Sequence, residues 1–173
     1  MLSLNPVRPD EVSLLLTLIR ELAEFEKLSH EVVATEEVLR DSLFGERRVA
    51  EAVLARIDGV PAGFALYYHS FSTFLGRPGL YLEDLYVRSD HRGQGVGTAL
   101  LTHVAAVAVE RGCGRLEWEV LDWNRRAVDF YTGMGARPVT GWTVYRMTGD
   151  ALAALGRGEP EGTLPVAAGE PRV

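Results

Sequence analysis

The chain has 173 residues, 47% hydrophobic and 24% charged, with a formal net charge of −6. That length fits one domain with a substantial core, and no apolar run approaches the roughly 20 residues that span a bilayer. The start carries no secretory apolar segment and Cys113 is the lone cysteine; these features exclude a disulfide framework or cysteine metal cluster, disfavour non-specific nucleic-acid binding, suit cationic small molecules and point to a reducing cytoplasm.

Residues 2–7 read as a short first strand. Pro9-Asp10 then opens a helix in which Val12, Leu15, Leu16, Ile19, Leu22 and Ala23 recur at helical spacing, with Glu21, Glu24 and Glu26 toward its end. Thr35 is placed to cap a second helix running to Phe44 and ended by Gly45. Residues 49–57 and 60–68 read as strands joined at Asp58-Gly59, a two-residue hairpin signal. Residues 70–79, with Gly76 and Pro78, read as a looser connection. A strand over 80–88 then meets the turn Arg92-Gly-Gln-Gly-Val-Gly97 and an apolar helix to about Arg111. A further strand is predicted over 115–121. Asp122-Trp123-Asn124 turns into a helix holding Ala127, Val128, Phe130 and Tyr131, closed by Gly133 and Gly135. Residues 142–147 read as a closing strand. Past Asp150 comes a short Ala/Leu helix, and residues 157–173 are expected to be poorly ordered. The division is therefore one domain over 1–150 and a short helix with a tail over 151–173. Helices interrupting a strand-rich chain give an α/β class: a mixed central sheet with helices on both faces.

The glycine turn has a physical meaning. Amides at a helix start lack intrahelical partners, the helix dipole is positive there, and glycines let an anion approach the backbone. A phosphate ligand at residues 92–98 follows. Two familiar patterns fail: Gly93 and Gly95 are followed by Thr98, and Gly95 and Gly97 by Leu100, so no G-x-G-x-x-G exists, and no Gly-Lys-Ser/Thr tripeptide supplies a P-loop. What stands is Arg-x-x-Gly-x-Gly, Arg92 to Gly97.

That motif resembles the pyrophosphate-binding turn of the GNAT N-acetyltransferases. Tyr81-Leu-Glu-Asp84, Leu121-Asp-Trp-Asn124 with Phe130-Tyr131, and Gly135-Ala136 are similar to their diamine acetyltransferase branch, the spermidine/spermine and thialysine acetyltransferases. Glu21-Leu-Ala23, Gly63-Phe-Ala-Leu-Tyr-Tyr68 and Gly141-Trp142 fit it too, so the likeness runs from about residue 5 to 147. The resemblance implies a GNAT fold with a splayed strand pair, acetyl-coenzyme A as co-substrate, a small-molecule amine acceptor and a homodimer. It implies that Gly93, Gly95 and Gly97, with the amides of Gln94, Val96 and Thr98, cradle pyrophosphate. Arg92 either contacts phosphate or braces the turn. Leu85, Tyr86 and Val87 would pair through their backbones with the pantetheine arm, the Leu85 N–H polarising the thioester carbonyl. Asn124 would bond the pantetheine arm or cap its helix. Tyr131 would protonate the departing thiolate, or else pack in a core.

Glu83 and Asp84 interrupt an apolar strand, where a carboxylate is costly unless paired or solvated. An alkyl ammonium with a pKa of about 10.4 must lose a proton before it can attack. Glu83 is the candidate base, acting through water, and Asp84 a cation ligand; a salt bridge is the plainer alternative. Successive strand residues face opposite ways, so both acids reach one cleft only across a bulge. Glu24, Glu26, Phe74 and Trp142 are further substrate candidates, acids and aromatics being suited to an aliphatic cation. The loop around Phe74 and Arg77 departs from the polyamine-specific pattern, which leaves thialysine-like and amino-acid acceptors open. The dispersed histidines give no metal-binding pair, and no metal is expected. Other amine classes, a protein N-terminus or an aminoglycoside, and a non-catalytic acetyl-coenzyme A-binding module remain as alternatives.

Overall fold

Alternating apolar residues build the central sheet. The computed structural model, described over residues 1–158, orders five strands side by side: β1 (Leu2–Pro6), β2 (Glu51–Ile57), β3 (Val60–Ser72), β4 (Arg77–Val87) and β5 (Leu116–Glu117). The first four are antiparallel neighbours, and β5 runs parallel to β4. The sheet is mixed. Asp58 and Gly59, at φ of 50° and 82°, make the tight β2–β3 turn, the positive-φ pair whose twist matches a hairpin.

The loose connection expected over 70–79 is instead strand on both sides. Only residues 73–76 turn the chain between β3 and β4. Gly79 lies opposite Ser70, where a Cβ would come within 2.7 Å of the Ser70 Oγ, and the Pro78 carbonyl accepts the Gly114 N–H at 2.8 Å. Here glycine permits close approach and proline needs no donor, so neither breaks the ladder.

Helices α1 (Val12–Glu26) and α2 (Glu36–Phe44) cover one face, packing Leu15, Leu18 and Leu43 onto Ala52, Leu54, Phe64, Leu66 and Tyr86. Helix α3 (Val96–Glu110) buries Val96, Leu100, Leu101, Val104 and Ala108 and packs on β3 and β4, whose opposite pleat offers buried Ala65, Leu80 and Leu82. Each fully buried valine or leucine among these contributes about 1.5–3 kcal/mol by leaving water. The Thr35 Oγ1 caps α2 by accepting the Val38 N–H at 3.3 Å. Gly45 follows α2 with an ordinary φ of −67°, and its value is room: a Cβ there would sit 2.3 Å from an Asp41 carboxylate oxygen.

The chain divides into two compact units, Met1–Glu119 and Val120–Val173. The second contains α4 (Arg125–Gly133) and α5 (Gly149–Gly156). Two strand expectations are corrected. The strand predicted over 115–121 is confined to Leu116–Glu117, and the closing strand predicted over 142–147 does not form, residues 136–148 being neither helix nor strand. Aromatic and β-branched residues favour a pleat only where a neighbouring strand and an apolar face receive them. The ladder to β4 stops at Tyr81↔Glu117, while Trp142, Val144 and Tyr145 are exposed. The poorly ordered tail expected over 157–173 lies outside the described residues, except for Arg157 and Gly158 just after α5.

Candidate active site

A register irregularity in β4 decides where the acids face. Leu66 pairs with Asp84 and Tyr67 with Leu82, so Glu83 is an extra residue without a partner across the ladder. It is a β-bulge, which lets two consecutive side chains reach the same side of a sheet. Tyr81, opposite Tyr68, and Asp84, opposite Leu66, share the pleat that meets α1, because Leu66 belongs to the core under that helix. Glu83 joins them. The bulge that two acids in one cleft require is present.

The C-terminal end of α1 is fastened beside this pleat. Arg88, just past β4, donates two hydrogen bonds to the Glu21 carboxylate at 2.8 and 2.6 Å and a third to the Pro61 carbonyl at 3.1 Å. The Arg92 guanidinium lies 4.6 Å from the centre of the Phe25 ring and donates to the Val87 carbonyl at 2.9 Å. Arg92 therefore braces the turn. These contacts place Glu26, the last residue of α1, close enough for its charge to act on Asp84. Burial raises the Glu26 pKa above the usual carboxylate range. For Asp84 burial acts first, then the charges of Glu83 and Glu26, and together they push its carboxyl up to about 7. Among the described residues no cation is paired with Glu26, Glu83 or Asp84. Three acids converge where a cation would relieve their repulsion.

The other edge of β4 is open beyond Tyr81. The Arg88 N–H bonds the Ala62 carbonyl on β3 at 2.9 Å. Backbone groups alternate along an antiparallel strand, so the N–H groups of Leu85 and Val87 face away from β3, toward the edge that β5 has left, while Tyr86 faces the ladder. Immediately downstream, Gly93 and Gly95 take positive φ of 77° and 81°, and a Cβ on either would meet nothing within 4 Å. Open space therefore lies above a turn that only glycine adopts readily. The first bond of α3 runs from the Ala99 N–H to the Gly95 carbonyl at 2.9 Å, which leaves Val96, Gly97 and Thr98 without intrahelical acceptors. Gln94 folds back, its side-chain amide donating to the Asp90 carbonyl at 2.9 Å. A helix start with free amides under an open turn fits a pyrophosphate.

Glu24 is exposed on α1 and is not among the groups acting on Asp84, and Phe74 projects into solvent at the 73–76 turn. In the second unit the Asn124 side-chain oxygen caps α4 by accepting the Ala127 N–H at 3.2 Å. Tyr131 is half-buried on α4 with its ring 5.2 Å from that of Phe130, and Trp142 is exposed.

The Acetyltransferase (GNAT) family matches residues 16–136. The chain belongs to the GNAT acetyltransferase family. It is 45% identical to a thialysine N-epsilon-acetyltransferase of Bos taurus over 152 residues, which covers 82% of this chain and 89% of that protein. It is 34% identical to an L-ornithine N5-acetyltransferase of Arabidopsis thaliana, with 85% of this chain and 84% of that protein covered. Among solved structures, an integron cassette protein from the mobile metagenome of V. cholerae superposes with a TM-score of 0.75 at 27% identity, covering 90% of this chain and 98% of that one. An acyltransferase is thus established, and the mixed sheet with its parting β4 and β5 is the α/β fold that the sequence led us to expect. GNAT acetyltransferases use acetyl-coenzyme A as co-substrate.

Sequence reasoning missed two partners of the acidic group. Tyr81 is hydrogen-bonded to Glu119, and burial, this bond and the Glu119 charge hold its phenol well above the ordinary value. Tyr68, its ring 5.3 Å from that of Tyr81, is raised too, first by burial and then by the charges of Glu83 and Glu119. One signal was available: Glu117 and Glu119 interrupt an apolar segment just as Glu83 and Asp84 do.

Proposed function

We propose that the chain transfers acetyl directly from acetyl-coenzyme A to a primary amine of a small cationic acceptor, of the thialysine, ornithine or polyamine kind. The observation that carries this reading is the convergence of Glu26, Glu83 and Asp84, without a cationic partner among the described residues, on the face of β4 beside α1. A neutral or anionic acceptor would leave that repulsion uncompensated; an ammonium relieves it. Likeness to thialysine and ornithine acetyltransferases supports the same class of acceptor.

In this reading Gly93, Gly95 and Gly97 admit the pyrophosphate to the α3 amides, and Arg92 holds the turn in shape. The outward N–H groups of Leu85 and Val87 receive the pantetheine arm and the thioester oxygen, stabilising charge as the carbonyl is attacked. The amine nitrogen attacks the thioester carbon, the C–S bond breaks, and Tyr131 gives the thiolate a proton. Proximity in one cleft makes an acyl-enzyme unnecessary. Asn124 caps α4 and orients the helix that carries Tyr131, while Glu24, Phe74 and Trp142 form the outer substrate contacts. Residues 1–150 work as one acetyltransferase domain, in the cytoplasm and as a homodimer. The matched region 16–136, which spans both units, supports the single working domain.

The test follows coenzyme A release from acetyl-coenzyme A with thialysine, ornithine, lysine, putrescine, spermidine, an aminoglycoside and a peptide with a free N-terminus. Turnover confined to the small aliphatic amines supports the proposal. Preference for the aminoglycoside or peptide, or tight acetyl-coenzyme A binding with no turnover, overturns it.

A further inference from the structure

We propose that Asp84, rather than Glu83, accepts the ammonium proton, with Glu83 and Glu26 holding the cation against it. The inference rests on the amine-acetylating function above and assigns the proton within that site.

The bulge gives the two acids unequal surroundings. Glu83 is the unpaired residue and is exposed. Asp84 stays in register opposite Leu66 and is partly buried. It also immediately precedes Leu85, whose N–H faces the open edge where a thioester oxygen would sit. The groups around Asp84 can be named from each side. Glu83 stands beside it on β4 and Glu26 comes from α1. From β3 and β2 the register supplies apolar Leu66 and Ala52. Tyr68 and Tyr81 lie on the far side of Glu83, with Glu119 behind them. The nearby cations are committed elsewhere, Arg88 to Glu21 and Arg92 to Val87 and Phe25. Among the described residues, Asp84 is therefore a sheltered carboxylate without a paired cation, flanked by two more acids.

That environment changes what a carboxylate can do. A carboxylate at its ordinary pKa is a weak acceptor for an ammonium proton, whereas one poised near neutrality is matched to the task. Asp84 is pushed up to about 7. An arriving ammonium meets an acidic cluster in which the base is Asp84 and the electrostatic anchor is Glu83. One N–H bond of the ammonium breaks and its proton goes to an Asp84 carboxylate oxygen, leaving a neutral amine. The nitrogen lone pair forms the C–N bond, and collapse of the tetrahedral adduct expels the thiolate. The second nitrogen proton ends on sulfur through Tyr131. Asp84 then releases its proton to solvent, so each turnover yields N-acetylamine, coenzyme A and one proton.

The experiment measures kcat and KM against pH, from about pH 5.5 to 10, for wild type, Asp84→Asn and Glu83→Gln, with saturating acetyl-coenzyme A and thialysine as probe. Thermal melts and acetyl-coenzyme A affinity confirm that each variant is folded. The wild-type kcat should fall tenfold per pH unit on an acid limb. In Asp84→Asn that limb should be replaced by one displaced to the free-amine range at about pH 10, with kcat down about 100-fold at pH 7 and recovering only as free amine accumulates. Glu83→Gln should raise the amine KM yet keep the limb, displaced to lower pH because a like charge beside Asp84 is gone. If Glu83→Gln abolishes the limb and Asp84→Asn retains it, Glu83 is the base and the proposal is overturned. If both variants keep the wild-type limb, neither acid accepts the proton and it is again overturned. A wild type that turns over no amine instead fails the functional reading itself, a result distinct from either variant outcome.

Discussion

Asp84→Asn should make the protein more stable at alkaline pH while leaving its stability in acid unchanged. The unfolded chain titrates this residue near its ordinary 3.8, whereas in the folded chain burial and the charges of Glu83 and Glu26 push it up to about 7. Between those values the folded state keeps a proton that the unfolded state has released. Stability contributed by this group is therefore full below the unfolded value, is lost as pH rises through the window, and levels off above about 7. A gap of roughly 3 units at 1.36 kcal/mol each sets an upper limit of about 4 kcal/mol. Asp84 is only partly buried, and water at the open side of the site lowers this to about 2–3 kcal/mol. Asparagine has the same shape and no charge to desolvate. Wild type and variant should coincide below about pH 4, and the variant should lead by about 2–3 kcal/mol above pH 7.5, which is on the order of 5–10 °C in Tm for a domain of this size. Urea unfolding followed by tryptophan fluorescence, without ligand, at four pH values across this range measures the difference directly. Parallel wild-type and variant profiles would refute the reasoning, because they would make Asp84 an ordinary solvated carboxylate. A variant less stable in alkali would refute it in the other direction, by showing that the ionised form is held by a partner.

Three other outcomes test separate parts of the site. Gly95→Ala places a side chain at φ +81°, where the conformation costs about 1–2 kcal/mol; it should also weaken acetyl-coenzyme A binding about tenfold by calorimetry, while Gly76→Ala, at φ +60° in the distant hairpin turn, carries the backbone cost alone. Arg88→Ala removes the paired bonds to Glu21 and should cost about 2–3 kcal/mol in urea melts. It should raise the KM for the amine more than that for acetyl-coenzyme A, because the end of α1 that carries Glu26 loses its bond to Arg88 through Glu21. Tyr131→Phe should lower kcat about 100-fold with unchanged acetyl-coenzyme A affinity; an unchanged kcat would reject the acid role.

What the sequence showed and what it hid divide along physical lines. Local chemistry was legible. Asp58-Gly59 marked a turn that needs two positive φ values, Thr35 marked a helix start, and Gly93 and Gly95 marked the turn into α3. Each of these rests on one or two residues whose backbone preference is strong. Pairing was less legible. Residues 70–79 read as loop because glycine and proline usually end strands, yet here the ladder uses both. Residues 142–147 read as strand by composition, but no strand among the described residues pairs with them. The site shows the same split. The acids Glu83 and Asp84 stood out as costly interruptions of an apolar strand, but their common face depended on the register between Leu66 and Leu82, which no local pattern encodes. Glu119 escaped because its significance lies in the Tyr81 and Tyr68 phenols, which only the folded chain brings near it.

The bulge explains why this strand can hold two acids without losing its core. In a regular ladder one of two consecutive carboxylates would point under α3, among Leu80, Leu82 and Leu100, which are essentially without solvent access. A charge there, with no partner, would be prohibitive. Removing Glu83 from the count restores a regular alternation in which Tyr81, Asp84 and Tyr86 all face α1 and Leu82 and Leu85 face the other way. Glu83 is thus the added residue, and the strand on either side keeps its parity: Tyr86 still packs on Phe64, and the Leu85 N–H still faces the open edge. One residue forgoes its ladder bonds, and in return a second carboxylate stands beside the first without entering the core. Burial first, and then repulsion from Glu83 and Glu26, lift Asp84 toward neutrality. On the proposed assignment, the inserted residue that anchors the cation also adds to the burial that tunes its neighbour to take the cation's proton.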